Sequence, residues 1–172
     1  MNSSNNQGVF SLGSINLLVK IGNAILPYAI KMDGRGRTGG FLTIINKYGA
    51  VVAVILFGEV KDLEKANEFR HNSTKKSLRL VLHSEHVSGF QSMNAAIKDY
   101  YGSIRDRYGN IYGFSGFNQE TDEAFSAACA FGIDKESMPQ SLQDQIAEIS
   151  SNPHLWELCE IAGNFDYFSG RI

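Results

Sequence analysis

The sequence predicts an α+β fold, an antiparallel sheet flanked by helices with extra helices at its C-terminal end. Three observations carry this. Runs rich in β-branched and aromatic residues flank the turn Lys47-Tyr48-Gly49, and a second pair flanks Asp106-Arg107-Tyr108-Gly109, so the strands come as hairpins. Stretches with three- and four-residue apolar spacing alternate with those hairpins. Hairpin strands pair antiparallel, which argues against a Rossmann arrangement.

In chain order, the opening MNSSNNQG is polar and uncharged and lacks the basic and apolar regions of an export signal, so residues 1–13 read as a disordered tail. Ile15, Leu18, Val19, Gly22, Ile25, Leu26, Ala29 and Ile30 then mark an amphipathic helix from Ser14 to Met32. Pro27 removes a backbone donor inside it and predicts a kink or an early end. A glycine-rich joint, Asp33 to Gly40, leads into strands Phe41–Asn46 and Ala50–Phe57. Both arms are almost wholly apolar, which places that hairpin centrally in a sheet covered on both faces. A second helix runs from Lys61 to Ser84, and Ser88–Asp99 is ambiguous, with one or two helical turns at Met93–Lys98. The second hairpin, Tyr101–Arg105 and Asn110–Ser115, precedes a helix capped by Asn118 that runs to Phe131 and is ended by Gly132. Ser141–Ser150 and His154–Ala162 are short helices separated by Asn152-Pro153, and Asn164–Ile172 has no periodicity. The chain thus divides into an α+β domain over 14–132 and a helical extension over 133–172.

A chain of 172 residues, 43% hydrophobic and 20% charged, can bury a core without a disulfide or metal. Cys129 and Cys159 make no zinc pattern, and a reducing cytoplasm is the expected location. The longest apolar stretch, Phe41–Phe57, is broken by Asn46-Lys47, so no membrane span is expected. Residues 1–110 carry 14 Lys/Arg and 8 Asp/Glu, whereas residues 111–172 carry 2 and 10. The basic residues are spaced rather than clustered and lack an aromatic-basic RNA signature, which favours internal packing of the two parts over a nucleic-acid partner.

Gly34-Arg35-Gly36-Arg37-Thr38-Gly39 satisfies G-x-G-x-x-G, but a helix precedes it and a strand follows, the reverse of a dinucleotide site. Gly113-Phe114-Ser115-Gly116-Phe117 misses the nucleophile elbow G-x-S-x-G by one place; its exposed backbone donors and the following helix N-terminus make an anion-binding corner instead. Arg70 to Ser77 is eight residues without an apolar side chain inside a helix flanked by Leu63, Ala66, Phe69, Leu78 and Leu80. A helix packed on a sheet keeps an apolar stripe, so this octad meets the sheet with Ser73, Thr74 or Ser77, or faces a cavity or a neighbouring subunit. His83 and His86 can share a helical face, but Glu85 would point elsewhere on a helix and leave a metal without its third ligand. Glu120, Asp122 and Glu123 complement a helix dipole more simply than they share iron.

Taken together, the hairpin Phe41–Phe57, the helix Asn67–Ser84 with its internal Lys75, and the stretch Ile111 to Glu123 resemble the GlcG/HbpS-like group, which includes proteins labelled heme-degrading domains. The resemblance spans residues 14–132. It implies a profilin-like fold with a five-stranded antiparallel sheet, frequent homo-oligomers, and small-molecule or heme binding in some members. Lys75, Ser115, Gly116, Asp122 and Glu123 are the matching positions. The chain departs from the group at Tyr100-Tyr101-Gly102, where a glycine-rich segment with a proline is usual, and from Asn152 onward. The leading expectation is a cytoplasmic, oligomeric, non-catalytic module for an anionic small molecule. Arg70 and Lys75 would supply charge, Ser115 and the Gly116 amide hydrogen bonds, and Phe114 or Phe117 apolar contact; the resemblance adds Asp122 and Glu123. Heme binding or degradation, with His71, His83 or His86 as axial ligand, and a purely structural role without ligand are the alternatives.

Overall fold

A computed structural model describes Phe10 and residues 12–165. The expected tail overlaps this range only at its end, where Leu12 and Gly13 already belong to the first helix, α1 (Leu12–Asp33); its other residues, apart from Phe10, and those after Phe165 lie outside the described residues. Leu18, Ile21, Ile25 and Ala29 of α1 are fully buried. The helix passes through Pro27 without ending. Pro27 sits on the exposed side, as does Asn23, so the carbonyl that loses its partner can turn to water and the helix need not end there. By length and composition α1 also suffices to cross a membrane. Lys20 and Pro27 interrupt its apolar run, so a search for unbroken apolar stretches passes over it.

Four strands follow the predicted hairpins: β1 (Gly39–Ile45), β2 (Val51–Gly58), β3 (Ser103–Arg105) and β4 (Ile111–Ser115), in the antiparallel order β2-β1-β4-β3. Both hairpin turns use one device. Asn46 Oδ1 accepts from the Tyr48 and Ala50 amides, and Asp106 Oδ1 from Tyr108 and Asn110, while Gly49 and Gly109 take positive φ.

The fifth strand implied by the resemblance is absent among the described residues. Its place beside β3 holds a single bridge, Ser88↔Ile104. Local chemistry accounts for this: Gln91 Oε1 takes the Val87 and Ser88 amides at 2.8 and 3.1 Å, and the Ser88 hydroxyl caps a 3-10 turn at Gly89–Ser92. Donors that a strand needs for its ladder are committed to the turn. A second 3-10 turn, Ala95–Ile97, completes the ambiguous region.

The first hairpin is also placed differently from expectation. β1 is central, but β2 is an edge strand, and Val52, Val54 and Leu56 on one of its faces are exposed. The helix α2 (Leu63–Val81), capped by Asp62, packs against β1, β3 and β4 and leaves β2 uncovered on that face. On the opposite face, Leu42, Ile44, Ile104, Tyr112 and Phe114 meet α1 and α3 (Gln119–Ile133) in one core. Asn118 caps α3 as expected, accepting from Thr121 at 2.8 Å. Gly132 does not end it: a Cβ there would lie 2.8 Å from Ile21, so this glycine permits close approach of α1 and α3. The helices α4 (Gln140–Ser150) and α5 (Leu155–Asn164) follow, and Ile146, Leu155, Leu158, Cys159 and Ala162 join the same core as Leu18 and Phe125. Cys129 and Cys159 are both free and buried, and burial pushes the Cys159 thiol up to about 12.

Candidate functional site

The polar octad is helical throughout, within α2. Counting back from the buried Leu80 in steps of three and four reaches Ser77, Lys76 and Ser73, and these three are the octad's buried residues. Ser73 and Ser77 form a small-residue seam with the sheet. Thr43 Oγ1 lies 2.8 Å from Ser73 Oγ, and Ser77 Oγ donates to the Ser73 carbonyl at 2.9 Å. A Cβ on Gly113 would fall 2.1 Å from Ser77 Oγ, so glycine is what lets the helix come this close to β4. Ser73, Thr74 and Ser77 thus serve helix–sheet packing.

Asn72, Lys75 and Lys76 reach a cleft of about 900 Å³. It lies between α2, the glycine-rich joint that ends in Arg37 and Thr38, residues 98–100, and the corner where β4 turns into α3. Lys76 stands in its wall, with Nζ donating to Asp122 Oδ2 at 2.7 Å and to the Phe114 carbonyl at 3.3 Å. Asp122 is almost wholly buried and also accepts from the Phe117 amide at 2.8 Å. Burial pushes its carboxyl up to about 6, against the opposing pull of the Lys76 ammonium, the Phe117 amide and Arg37. Among the described residues this is the one ion pair that joins the basic and acidic parts of the chain.

Eight lysines and arginines line the cleft against six carboxylates. Lys75 pairs with Asp99, Arg79 approaches the same carboxylate at 3.9 Å, and Lys65 pairs with Glu68 at 2.8 Å. Lys75 holds the Asp99 carboxyl below its usual range, and burial lowers the Arg79 guanidinium. Arg37 donates to the Phe117 carbonyl at 2.7 Å. Neither Arg37, Lys61 nor Lys98 has a carboxylate within ion-pair distance among the described residues. The first turn of α3 adds backbone donors, since Asn118 takes only the Thr121 and Asp122 amides. Two buried wall atoms, Arg79 Nε and Gln119 Oε1, have no hydrogen-bond partner among the described residues. Such a surface suits a multiply charged anion.

The structure gathers some of the predicted residues here and not others. Lys75, Ser115 and Asp122 line the cleft, and the Gly116 carbonyl accepts from Arg37 beside it at 3.4 Å. Gly116 allows a close crossing, because a Cβ there would fall 2.5 Å from the Gly39 carbonyl. Arg70 and His71 are exposed and outside the lining, because the cleft takes the face of α2 that carries Lys65, Glu68, Phe69, Asn72, Lys75, Lys76 and Arg79, and positions 70 and 71 lie on the other. Phe114 points to the opposite face of the sheet, its ring 5.4 Å from Phe117 and 4.3 Å from Phe125, so core packing claims it. Phe117 does line the cleft. Glu123 is turned away by one helical step from Asp122. Ser88 Oγ, Ser150 Oγ and Asn152 Nδ2 donate to it in the core, and burial pushes it up to about 7.

Sequence reasoning chose Lys75 where the buried cation is Lys76; the register from Leu80 was the available signal. Nothing local reveals that Arg37, in the glycine-rich joint, reaches across to the turn after β4. Lys61 and Lys98 carried no signal, because only tertiary structure brings their segments to one cleft. No histidine lines the cleft, so Ser115 has no imidazole base there. In comparisons with known proteins, no family model, no curated protein and no solved structure matches the chain.

Proposed function

We propose that the chain is a non-catalytic binding module for a small, multiply charged anion, seated in the cleft between α2 and the β4–α3 corner. The observation that carries this is the group Arg37, Lys61 and Lys98, cations without carboxylate partners among the described residues, around a wall holding Lys76 and the first turn of α3. Lys61 and Lys98 supply mobile charge at the rim, Arg37 fixed charge, and the amides of the helix start supply oriented donors. Lys76 adds charge whose effect depends on Asp122. Once Asp122 takes a proton, near pH 6, the wall gains a net positive charge, and anion binding strengthens.

A cytoplasmic homo-oligomer belongs to the same proposal. The edge strand β2, with Val52, Val54 and Leu56 exposed, supports a second copy as its occupant. Kinship with the GlcG/HbpS-like group and its profilin-like fold is likewise proposed. Its support is the hairpin sheet with helices on both faces and the meeting of Lys75, Ser115 and Asp122 in one cleft. Heme, which the resemblance implies for some members, fits this cleft poorly: charged groups line it and all four histidines lie outside it.

Calorimetric titration with pyrophosphate and with citrate tests the reading. Saturable binding is expected, weakened roughly fivefold by Lys98→Ala or Lys61→Ala and also weakened by Lys75→Ala, with melting temperatures within a few degrees of wild type. Equal affinity in all three variants contradicts it. Hemin titration is expected to leave the free-hemin spectrum unchanged; a sharp Soret shift abolished by a histidine substitution would establish the heme alternative instead. Light scattering of wild type and Val54→Lys reads the oligomer, which the charge should dissociate.

A further inference from the structure

Beyond α2 the chain does not continue as a helix. It turns through residues 82–87, and that changes the relation of His83, Glu85 and His86. On a helix Glu85 would point away from the two imidazoles; in this turn its carboxylate comes between them. Glu85 Oε1 lies 3.8 Å from His83 Nδ1 and 3.3 Å from His86 Nε2. One ligand atom from each of the three residues lies within 4.8 Å of the other two. The rings are stacked, with centroids 4.8 Å apart and planes 13° from parallel.

From this geometry we propose a binding site for a first-row transition dication of the zinc class, held by His83, Glu85 and His86 and lying outside the anion cleft. Two imidazoles and one carboxylate form a donor set that zinc, nickel and copper accept and that magnesium and calcium do not favour. With bonds of about 2.1 Å, a tetrahedral ion sets its ligand atoms roughly 3.4 Å apart. Stacked rings cannot both aim an in-plane lone pair at one ion, so binding turns the His83 imidazole, the more exposed of the two, out of its stack on His86 and toward the Glu85 carboxylate.

The backbone presents these ligands from a fixed frame. Arg105 Nε donates to the His86 carbonyl at 3.0 Å, and its terminal nitrogen donates to His83 at 3.2 Å and to Leu80. The His83 amide bonds to Leu80 and the His86 amide to His83, at 3.1 and 3.0 Å. A turn pinned at three carbonyls loses little freedom when an ion arrives. Two features weaken the site. His86 Nδ1 is buried without a hydrogen-bond partner among the described residues, so it lacks the acceptor that ordinarily strengthens a ligating imidazole. The Arg105 guanidinium also acts on the Glu85 carboxylate the ion would share.

The test is calorimetric titration of untagged, chelator-stripped protein with Zn²⁺ and Ni²⁺, and with Co²⁺ followed by its visible absorption. One ion per chain is expected. A loss of at least tenfold is expected in His83→Ala, at a half-buried position, and in Glu85→Gln, at an exposed one, and none in His71→Ala or His154→Ala. Mg²⁺ should give no saturable heat. Absence of saturable Zn²⁺ binding, or binding that survives His83→Ala, overturns the proposal. Pyrophosphate binding in the His83→Ala variant should equal wild type, so failure here leaves the cleft reading untouched.

Discussion

Replacing Lys76 by methionine should destabilise the protein in a strongly pH-dependent way. Methionine keeps the side chain's length and removes its charge, which leaves Asp122 almost wholly buried with the Phe117 amide as its remaining donor. Breaking one side of a buried ion pair typically costs 3–5 kcal/mol. Asp122 can escape part of that cost by taking a proton, because its carboxyl already titrates at about 6 rather than near 3.8. Its folded pKa is raised, so this group's contribution to stability falls as pH rises from the unfolded value to the folded one. Removing Lys76 raises the folded pKa further and extends the falling window above pH 6. At pH 5 the carboxyl is largely protonated in both proteins, and the variant should lose only about 1 kcal/mol for the missing hydrogen bonds. At pH 8 the loss should reach about 3 kcal/mol, or roughly 6–12 °C in melting temperature for a domain of this size. Urea denaturation of wild type, Lys76→Met and Lys75→Met at both pH values reads these differences. Lys75 is exposed, so its substitution should cost under about 1 kcal/mol at either pH. Equal losses at positions 75 and 76, or a Lys76→Met loss independent of pH, would refute the assignment of the buried pair.

Glu123 makes a second pH prediction. Its folded pKa of about 7 stands above the ordinary 4.5, so wild-type stability should fall by about 3 kcal/mol across that window, and Glu123→Gln should flatten the slope and be the more stable protein at pH 8. An unchanged slope in the variant excludes Glu123 as its source. Gly113→Ala should cost at least about 2 kcal/mol by forcing α2 away from β4, and the added substitution Ser77→Ala should recover part of it, since Ser77 Oγ is the atom the new methyl meets. A double variant no more stable than Gly113→Ala alone would show that the seam is not held at that contact.

The hairpins and helices were legible because each follows from local chemistry. Asn46 and Asp106 close their turns with their own side chains, Asp62 and Asn118 cap α2 and α3, and apolar spacing marks the helix faces. What composition could not decide was which face a neighbour covers. β2 looks as apolar as β1, yet α2 covers only the latter, because the small polar residues Ser73 and Ser77 bring that helix down on Thr43 and Gly113. The site was half legible for the same reason. Ser115 and Asp122 follow the turn into α3 in sequence, whereas Arg37, Lys61 and Lys98 come to the cleft from three distant segments. The fifth strand gives way to a local turn, in which Gln91 takes the Val87 and Ser88 amides and the Ser88 hydroxyl caps the 3-10 turn that follows.

A polyanion seated against Lys76 and Asp122 should show itself in the pyrophosphate Kd of wild type and Asp122→Asn measured from pH 5 to pH 8. Wild-type affinity should rise by about tenfold as pH falls through 6, the ~1.4 kcal/mol that removing one carboxylate charge several ångströms from the anion is worth. Asp122→Asn should bind tightly across the range, following only the titration of pyrophosphate itself. Two proteins with the same pH profile, or with no measurable binding, would contradict the account.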